Sequence, residues 1–350
     1  MKLWAVVENG KPLQQMDLPD PEPQGSEVVL KVSHCGVCHS DLHFWKGEYN
    51  LGGGKVLRLT DRGVELPRAP GHEVLGTVVK VGPEAEGIAV GDRRIVFPWL
   101  GCGTCERCTS DQENLCDKPA AIGVVRHGGF GSHVVVPHPR YLVDFGDVDP
   151  AFAATLACSG ITVYSAIRKL QPLDPERPVL LIGAGGLGHA ALGMLRALGH
   201  EKTIVVDIDA TKLEAAREAG ATHVIDGTAD NVVAQILAAA GGPVPAAMDF
   251  VNNTTTASTG LECLAKNGKL VLLGVAGGDL QLSLAGMIFR PRSIIGSATG
   301  SLGDLRAVAE LARQGKLMPM PIMRMKKDDA NEALEKLKSG QVTGRIVLES

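Results

Sequence analysis

The sequence predicts an α/β protein in which a doubly wound parallel sheet follows an irregular, β-rich part. The chain has 350 residues, which suits two domains of roughly 150 residues each. Up to about residue 150, short apolar runs such as Glu27 to Val32 and Val74 to Val81 are broken by Gly, Pro and Asp, a pattern typical of strands and turns. From about Pro178, short β-branched runs alternate with Ala-, Leu- and Glu-rich stretches, which predicts a sheet covered by helices on both faces.

The six β-branched runs are expected to be the strands of that sheet. They read VLLIG, TIVVDID, HVID, AAMDFV, KLVLLGV and SIIGSA. Near the end of the chain, residues 328–339 have a helical pattern and GRIVLE reads as a strand. This tail is too short for a third domain, so we expect it to return and complete the first one.

Composition excludes several classes of function. Apolar residues make up 45% of the chain and charged residues 21%, which argues against disorder. The net charge of -4 gives no basic footprint for a nucleic acid. No signal-peptide pattern and no run of eighteen apolar residues is present, so we expect a cytoplasmic protein without a membrane partner. In that setting the eight cysteines are expected to be thiolate ligands rather than disulfides.

A glycine-rich segment follows the first of the six runs. Gly183, Gly185 and Gly188 have GxGxxG spacing between the strand from Pro178 to Ile182 and a predicted helix over about 189–198. Glycines permit a tight turn and close backbone approach, and the N-terminus of the helix offers free amides to a pyrophosphate. A plain turn is the alternative, but the strand and helix on either side favour a dinucleotide site.

An acidic residue ends the second run. Asp207 lies nineteen positions beyond Gly188, where a carboxylate accepts hydrogen bonds from the adenosine ribose and repels a 2′-phosphate. This position predicts NAD rather than NADP. Asp209 is a neighbouring candidate that is better placed to cap the helix starting near Thr211.

Four cysteines lie within fifteen residues in the segment GCGTCERCTSDQENLC: Cys102, Cys105, Cys108 and Cys116. Four thiolates this close predict a closed tetrahedral zinc site with a structural role, because no position is left for water or substrate. An iron–sulfur cluster or two disulfides are the alternatives.

A second, dispersed set comprises Cys38, His72 and Cys158, with Cys35 forming a CxxC with Cys38. Spacing alone does not separate these residues from buried core residues. The segments that carry them, CGVCHSD, GHE and ACSGITVY, occur together with GDRR, the cysteine segment, GAGGLG and GRIVLE. In this order, and over essentially the whole chain, they resemble the zinc-containing medium-chain alcohol dehydrogenases.

The resemblance implies two domains and two zinc ions per subunit. A GroES-like catalytic domain would comprise residues 1–159 and 295–350, with a structural zinc lobe at 98–117, and a Rossmann domain would comprise residues 160–294. The implied ligands of the catalytic zinc are Cys38, His72 and Cys158, with the fourth position open to water or the alcohol.

The residues around those ligands also match the family. Cys35 would be packed and not bound to metal, and Glu73 would be a carboxylate close to the zinc. Asp41 would orient His72, a helix or loop cap being the alternative. Trp99 would line the substrate channel, or else belong to the core.

Two further positions match the family's route for the released proton. Ser40 would contact the substrate oxygen, and His43 would pass the proton to solvent through the cofactor ribose. An exposed His43 without a role is the alternative.

The resemblance also extends the set of cofactor-binding candidates. His39 and Arg345 would lie near the phosphates, and Lys212 would lie near the adenosine ribose. For Arg345 and Lys212, a solvated surface position is the alternative. The full predicted set is His39, Gly183, Gly185, Gly186, Leu187, Gly188, Asp207, Lys212, Val275 and Arg345.

The predicted function is NAD-dependent alcohol dehydrogenation, a reversible hydride transfer between a zinc-bound alcohol and NAD that gives an aldehyde or ketone and NADH. Polyol dehydrogenases of the same superfamily usually have Glu at the position of Cys158, so the cysteine favours simple alcohols as substrates. The alternatives are an inactive zinc- and dinucleotide-binding or redox-sensing protein, and an enzyme that works mainly as an aldehyde or ketone reductase. We expect a homotetramer or a homodimer. Residues 44–70 are longer than in compact members of the family, which suggests a mobile loop at the site or a subunit contact.

Overall fold

The computed structural model describes all 350 residues. Its N-terminal part is rich in short strands, as predicted. The strands are β1 (Lys2–Ala5), β2 (Gln14–Asp17), β3 (Val28–Val37), β4 (Glu48–Gly52), β5 (Lys55–Arg58), β6 (Glu73–Val81), β7 (Arg93–Val96), β8 (His133–Val136) and β9 (Leu142–Val143), and the helices are α1 (His39–Lys46) and α2 (Glu106–Thr109). The two runs predicted as strands lie in β3 and β6.

The middle of the chain alternates helices and strands. The helices are α3 (Pro150–Thr155), α4 (Ile161–Leu170), α5 (Gly186–Ala197), α6 (Ala210–Glu218), α7 (Val232–Ala240), α8 (Thr254–Cys263) and α9 (Leu284–Phe289). The strands are β10 (Val179–Ile182), β11 (Thr203–Asp207), β12 (His223–Asp226), β13 (Val244–Asp249), β14 (Leu264–Leu272) and β15 (Arg292–Gly296). All six predicted runs are therefore strands.

The six strands form one parallel sheet in the order β12-β11-β10-β13-β14-β15. This is the Rossmann order, in which the direction of winding reverses between the first and fourth strands, here β10 and β13. Ligands of such sheets bind beyond the carboxyl ends of the strands at this reversal. The glycine-rich segment follows β10, so the fold places it at the expected crevice.

The last part of the chain returns to the N-terminal part. It contains α10 (Leu302–Arg313), β16 (Ile322–Lys326), α11 (Ala330–Lys338) and β17 (Arg345–Glu349). The second large sheet has the order β16-β17-β3-β6-β7-β9, with β8 also paired to β3. Because β17 pairs with β3, Ile346 lies opposite Val37. The predicted C-terminal helix is shorter than expected, since a 3₁₀ turn occupies Lys327–Asp329.

The predicted boundary between residues 294 and 295 falls inside β15, which continues to Gly296. A strand cannot be divided without losing its ladder of hydrogen bonds. We therefore propose that the Rossmann domain extends through Gly296, and we keep the boundary at 159/160 as a proposal.

Helices α3 and α4 form one helical stretch, Pro150–Leu170, interrupted by a π-helical turn at Leu156–Gly160. The stretch is long and apolar enough to cross a membrane, but 83% of its apolar window is buried inside the protein. It is therefore packed as a core helix. A π turn shifts the following side chains around the helix axis and is frequent at functional sites, and Cys158 lies within this one.

Candidate active site

One carboxylate connects the two segments that carry the first two predicted ligands. Asp41, in the first turn of α1, accepts a hydrogen bond from the Cys38 amide at 2.8 Å and another from the Gly71 amide at 3.0 Å. Its Oδ1 also lies 3.3 Å from Nδ1 of His72. Asp41 thus caps α1 and orients His72, so the capping and orienting interpretations both describe it.

The three dispersed ligand candidates converge. The sulfurs of Cys38 and Cys158 are 3.9 Å apart, and these two atoms and a ring nitrogen of His72 all lie within 4.8 Å of one another. All three residues are buried. Cys35 is also buried, but it is not in this group, and its sulfur lies 3.5 Å from its own neighbour's carbonyl, that of Gly36.

The donor set fits a zinc ion. Since Asp41 faces Nδ1 of His72, the lone pair of Nε2 is left for a ligand, and Nε2 is buried without a hydrogen-bond partner. An unpartnered buried nitrogen beside two thiols is costly unless something binds it. Two sulfurs and one nitrogen are ligands that Zn²⁺ prefers, and three protein ligands leave one position open.

Behind the donor set lies a buried ion pair. Glu73 and Arg345 are 0% and 4% exposed, and Oε1 of Glu73 is 3.1 Å from a guanidinium nitrogen of Arg345. Burial raises the pKa of Glu73 to about 7, although the charge of Arg345 opposes the rise. Oε1 also accepts a hydrogen bond from the Ser159 amide at 3.3 Å, next to Cys158. Arg345 is therefore not a solvated surface residue.

The four clustered cysteines form a compact cage. The sulfur of Cys105 is 3.5 Å from that of Cys108 and 3.7 Å from that of Cys116, and the sulfurs of Cys102 and Cys108 are 4.0 Å apart. A disulfide would need about 2.05 Å, so all four thiols are free. A cage of this size encloses a single ion, and four thiolates about 2.3 Å from a tetrahedral zinc would have such separations.

The glycine segment has the geometry of a phosphate-binding turn. Gly183 has a φ of +103°, which a side chain would strain. A Cβ on Gly188 would overlap the carbonyl of Gly183, whereas one on Gly185 would meet no atom within 4 Å. The backbone at Gly185 is thus open to a ligand at the N-terminus of α5, where free amides favour an anion.

Cations surround this turn. The guanidinium carbon of Arg345 lies 3.2 Å from the position of a Cβ on Gly186. The positive charges of Arg345 and Lys212 also act on His39, which is exposed at the start of α1. Arg345 therefore borders the turn, and the places of His39 and Lys212 beside a cofactor stay predictions.

Asp207 and Asp209 have different roles. Asp207, at the end of β11, accepts a hydrogen bond at 2.6 Å from the amide of Ala184 in the glycine turn. Asp209 accepts hydrogen bonds from the amides of Thr211 and Lys212 and so caps α6, as predicted. Asp207 is the carboxylate that lies beside the turn.

Aromatic rings lie on both sides of the donor set. The indole of Trp99 is 5.1 Å from the His72 ring between centroids, and its Nε1 donates to the Ala157 carbonyl at 3.1 Å. His43 stacks on Tyr49 with centroids 4.7 Å apart. Trp99 also packs against the core, so it both belongs to the core and borders the site.

Comparison with known proteins gives the same family for both halves of the chain. Residues 24–147 match the alcohol dehydrogenase GroES-like domain, and residues 186–314 match the zinc-binding dehydrogenase domain. An NAD-dependent alcohol dehydrogenase of Sulfurisphaera tokodaii is 38% identical, with 99% of each chain covered. The chain belongs to the zinc-containing medium-chain alcohol dehydrogenase family.

Other members of the family agree over the full length. The NAD-dependent alcohol dehydrogenase of Saccharolobus solfataricus is 37% identical, with 99% of each chain covered. The crystal structure of the alcohol dehydrogenase from Aeropyrum pernix superposes on this alcohol dehydrogenase with a TM-score of 0.91 at 31% identity, covering 100% of both chains. The GroES-like and Rossmann folds expected from the sequence are confirmed.

Two features of this alcohol dehydrogenase were not expected from the sequence. Tyr49 lies six residues after His43 in a segment without a metal or cofactor motif, and only the fold brings the two rings together. Part of the long segment after α1 forms the β4–β5 hairpin, and the expectation of a loop at the site or a subunit contact stays a prediction. Val275, a predicted cofactor contact, is 41% exposed in the loop after β14 and stays a prediction.

Proposed function

We propose that this protein catalyses the reversible, NAD-linked oxidation of simple alcohols to aldehydes or ketones, with a catalytic zinc held by Cys38, His72 and Cys158. The observation that carries the proposal is that Nε2 of His72 is buried without a hydrogen-bond partner and lies beside two free thiols. We also propose a second zinc in the cysteine cage, which makes two per subunit.

The chemistry of the bound groups follows from their nature. A zinc ion held by Cys38, His72 and Cys158 would supply Lewis-acid chemistry that lowers the pKa of an alcohol, and NAD held at the glycine segment would supply a hydride acceptor. The carboxylate of Asp41 keeps the proton of the His72 ring on Nδ1. Nε2 therefore keeps its lone pair for a metal ion. Glu73 and Arg345 are paired in the interior behind the donor set, where an unpaired charge would cost several kcal/mol.

The proton released on oxidation needs a path to solvent. Ser40 and His43 lie one turn apart on α1, and we propose that Ser40 receives the proton and His43 passes it outward. Partial burial lowers the pKa of His43, so its ring is neutral, and able to accept a proton, at physiological pH.

We propose that NAD binds across the carboxyl end of the parallel sheet. The glycines, with Gly186 and Leu187 at the start of α5, would receive the pyrophosphate, and His39, Lys212 and Arg345 would balance its charge. Asp207 would accept hydrogen bonds from the ribose hydroxyls and exclude a 2′-phosphate. Val275 would lie near the nicotinamide.

We propose that the enzyme is a homo-oligomer, a tetramer or a dimer. Leu284, Ile288 and Phe289 on α9 are 75–82% exposed, and β15 beside them is the unpaired edge of the sheet. Exposed apolar groups next to a free edge favour pairing with another chain. Light scattering of the wild type and Phe289→Asp tests this. A monomeric wild type would contradict it, and a smaller assembly for the variant would support it.

The catalytic proposal is tested by NADH formation with a panel of primary, secondary, aromatic and polyol substrates, together with metal analysis. We expect turnover of simple alcohols and about two zinc ions per subunit. Cys38→Ser should lose activity and about one zinc, whereas Cys35→Ser, a buried thiol outside the donor set, should keep both. Full zinc content without turnover would favour a binding or sensing protein, and an active Cys38→Ser would refute the ligand assignment.

A further inference from the structure

The β4–β5 hairpin lies directly after the helix that carries the proton path. Gly47 ends α1 with a φ of +81°, and its close approach to Asn9 leaves no space for a side chain. Tyr49 pairs with Leu57 across the hairpin, and both are partly buried, whereas Asn50 and Val56 are exposed. The alternation of the strand thus turns Tyr49 toward the protein.

Tyr49 contacts His43, the outer residue of the proposed proton path. Its ring lies over His43 with an interplanar angle of 19° and a centroid distance of 4.7 Å. Burial raises the pKa of the Tyr49 phenol, and the Ser40 hydroxyl opposes the rise. The phenol therefore stays protonated, with its ring against His43.

The hairpin is held in place from the opposite side of the crevice. The Gly53 amide donates to Oδ2 of Asp279 at 2.6 Å, and the Asp279 amide donates to Thr254 Oγ1 at 3.1 Å. Asp279 follows β14 and Thr254 begins α8, both in the Rossmann part of the chain. The position of Tyr49 is thus fixed by its own strand pair and by a contact with the cofactor-binding part.

The fit at this contact is close. A Cβ on Gly52 would be 2.6 Å from Asp279 Oδ1 and would overlap the carbonyl of Gly278, and one on Gly277 would overlap Asn50. Backbones that approach this closely have little freedom to slide. The hairpin is therefore packed closely against the Rossmann part of the chain.

We propose that Tyr49 is a positioning residue of the reaction, which holds the His43 ring through stacking and from the same position offers its phenol oxygen to the Ser40 hydroxyl. This inference rests on the proposed alcohol dehydrogenase function and adds a third member to its proton path. Tyr49 acts through the other two residues, and the anchor at Asp279 keeps it in place.

Steady-state kinetics of four proteins test the Ser40 contact: wild type, Tyr49→Phe, Ser40→Ala and the double variant. Loss of the phenol oxygen should lower kcat about tenfold with little change in KM, the value expected for one hydrogen bond. In the Ser40→Ala background, Tyr49→Phe should have no further effect, because it acts through Ser40. Additive losses would refute this contact, and Tyr164→Phe on α4 is the control expected to keep full activity.

A chemical readout tests the His43 contact without turnover. Diethyl pyrocarbonate modifies accessible imidazoles, and mass spectrometry gives the rate for the peptide containing His43. Tyr49→Leu should raise that rate several-fold, Tyr49→Phe should leave it unchanged because the ring remains, and Asp279→Ala should raise it by a smaller factor. Exposed His138 gives the reference rate in every variant.

The outcomes separate the two proposals. A wild-type protein that oxidises no alcohol would refute the proposed function, and the modification rates would then still decide whether Tyr49 holds His43. An active wild type with equal rates in Tyr49→Leu and wild type would refute the positioning role alone. Unchanged zinc content and melting temperature in Tyr49→Phe would show that its loss of kcat is not a loss of folding.

Discussion

Gly71, directly before the zinc-ligand candidate His72, occupies a position that tolerates no side chain. Its φ is +95°, and a Cβ there would be 2.6 Å from Cδ1 of Phe130 and 2.7 Å from the sulfur of Cys35. Phe130 and Cys35 are both 0% exposed, so neither has space to move away. Gly71→Ala therefore combines backbone strain with crowding of the core.

The two contributions are separable because the chain offers a matched control. Gly91 has nearly the same φ, +98°, and no atom within 4 Å of its Cβ position. Gly91→Ala should cost only the left-handed strain, roughly 1–2 kcal/mol. Gly71→Ala should add about 1–3 kcal/mol for overpacking, so that its free energy of unfolding falls by about 2–5 kcal/mol in total.

The melting temperature at one scan rate measures the difference. Each kcal/mol shifts it by roughly 2–4 °C for domains of this size, so Gly71→Ala should melt several degrees below Gly91→Ala. The Gly71 amide also donates to Asp41, so a shift here displaces the group that orients His72. We expect kcat/KM to fall about 100-fold for a displacement near 1 Å, with loss of zinc from the catalytic site.

Gly91→Ala should keep its zinc and its activity. The reasoning would be refuted if the two variants melted at the same temperature, because crowding by Phe130 and Cys35 would then cost nothing. It would also be refuted if Gly71→Ala melted lower but kept full activity, because the coupling from Gly71 through Asp41 to His72 would then be absent.

Three further predictions concern the zinc cage, the cofactor and pH. Cys105→Ser should lose about one zinc per subunit and melt at a lower temperature while keeping the catalytic zinc, which metal analysis checks; loss of both ions would contradict separate sites. Asp207→Ser should raise the ratio of kcat/KM with NADP to kcat/KM with NAD at least tenfold, because the carboxylate no longer repels the 2′-phosphate. An unchanged ratio would show that Asp207 does not lie at the ribose site. Because partial burial lowers the pKa of His43, kcat/KM for oxidation should fall only as the pH drops below about 6.5. His43→Gln should lower the rate at neutral pH about tenfold and should remove this acidic fall in kcat/KM. An identical pH profile in the variant and the wild type would exclude His43 from the proton path.

Local patterns predict the Rossmann part of the fold well. Each of the six runs is a short β-branched segment bounded by glycines or helical stretches, so the strands follow from burial on both faces of a parallel sheet. The glycine turn and the four-cysteine cage are equally local, since all their members lie within fifteen residues of one another. For such sites, residues that are close in the sequence are also close in the structure.

The remaining features depend on contacts between distant segments. Arg345 and Glu73 are 272 positions apart, and the pairing of β3 with both β17 and β6 brings them together. Sequence alone therefore left the surface interpretation of Arg345 open. Likewise, the three glycines after Leu51 predict mobility, but the structure uses Gly52 for close backbone approach to the Rossmann part. Local propensity cannot reveal a partner that lies elsewhere in the chain.

The position of β17 has a consequence for how the chain folds during synthesis. β17 is an interior strand between β16 and β3, so the sheet that supports α1 lacks an inner member until residues 345–349 have left the ribosome. Until then the edge of β3 at residues 34–37, which β17 covers, stays open to pairing with other nascent chains. The Rossmann strands are contiguous in the chain and have no such delay, so we expect them to form first. The strands of the N-terminal part would then complete their sheet on this preformed part once β17 is available.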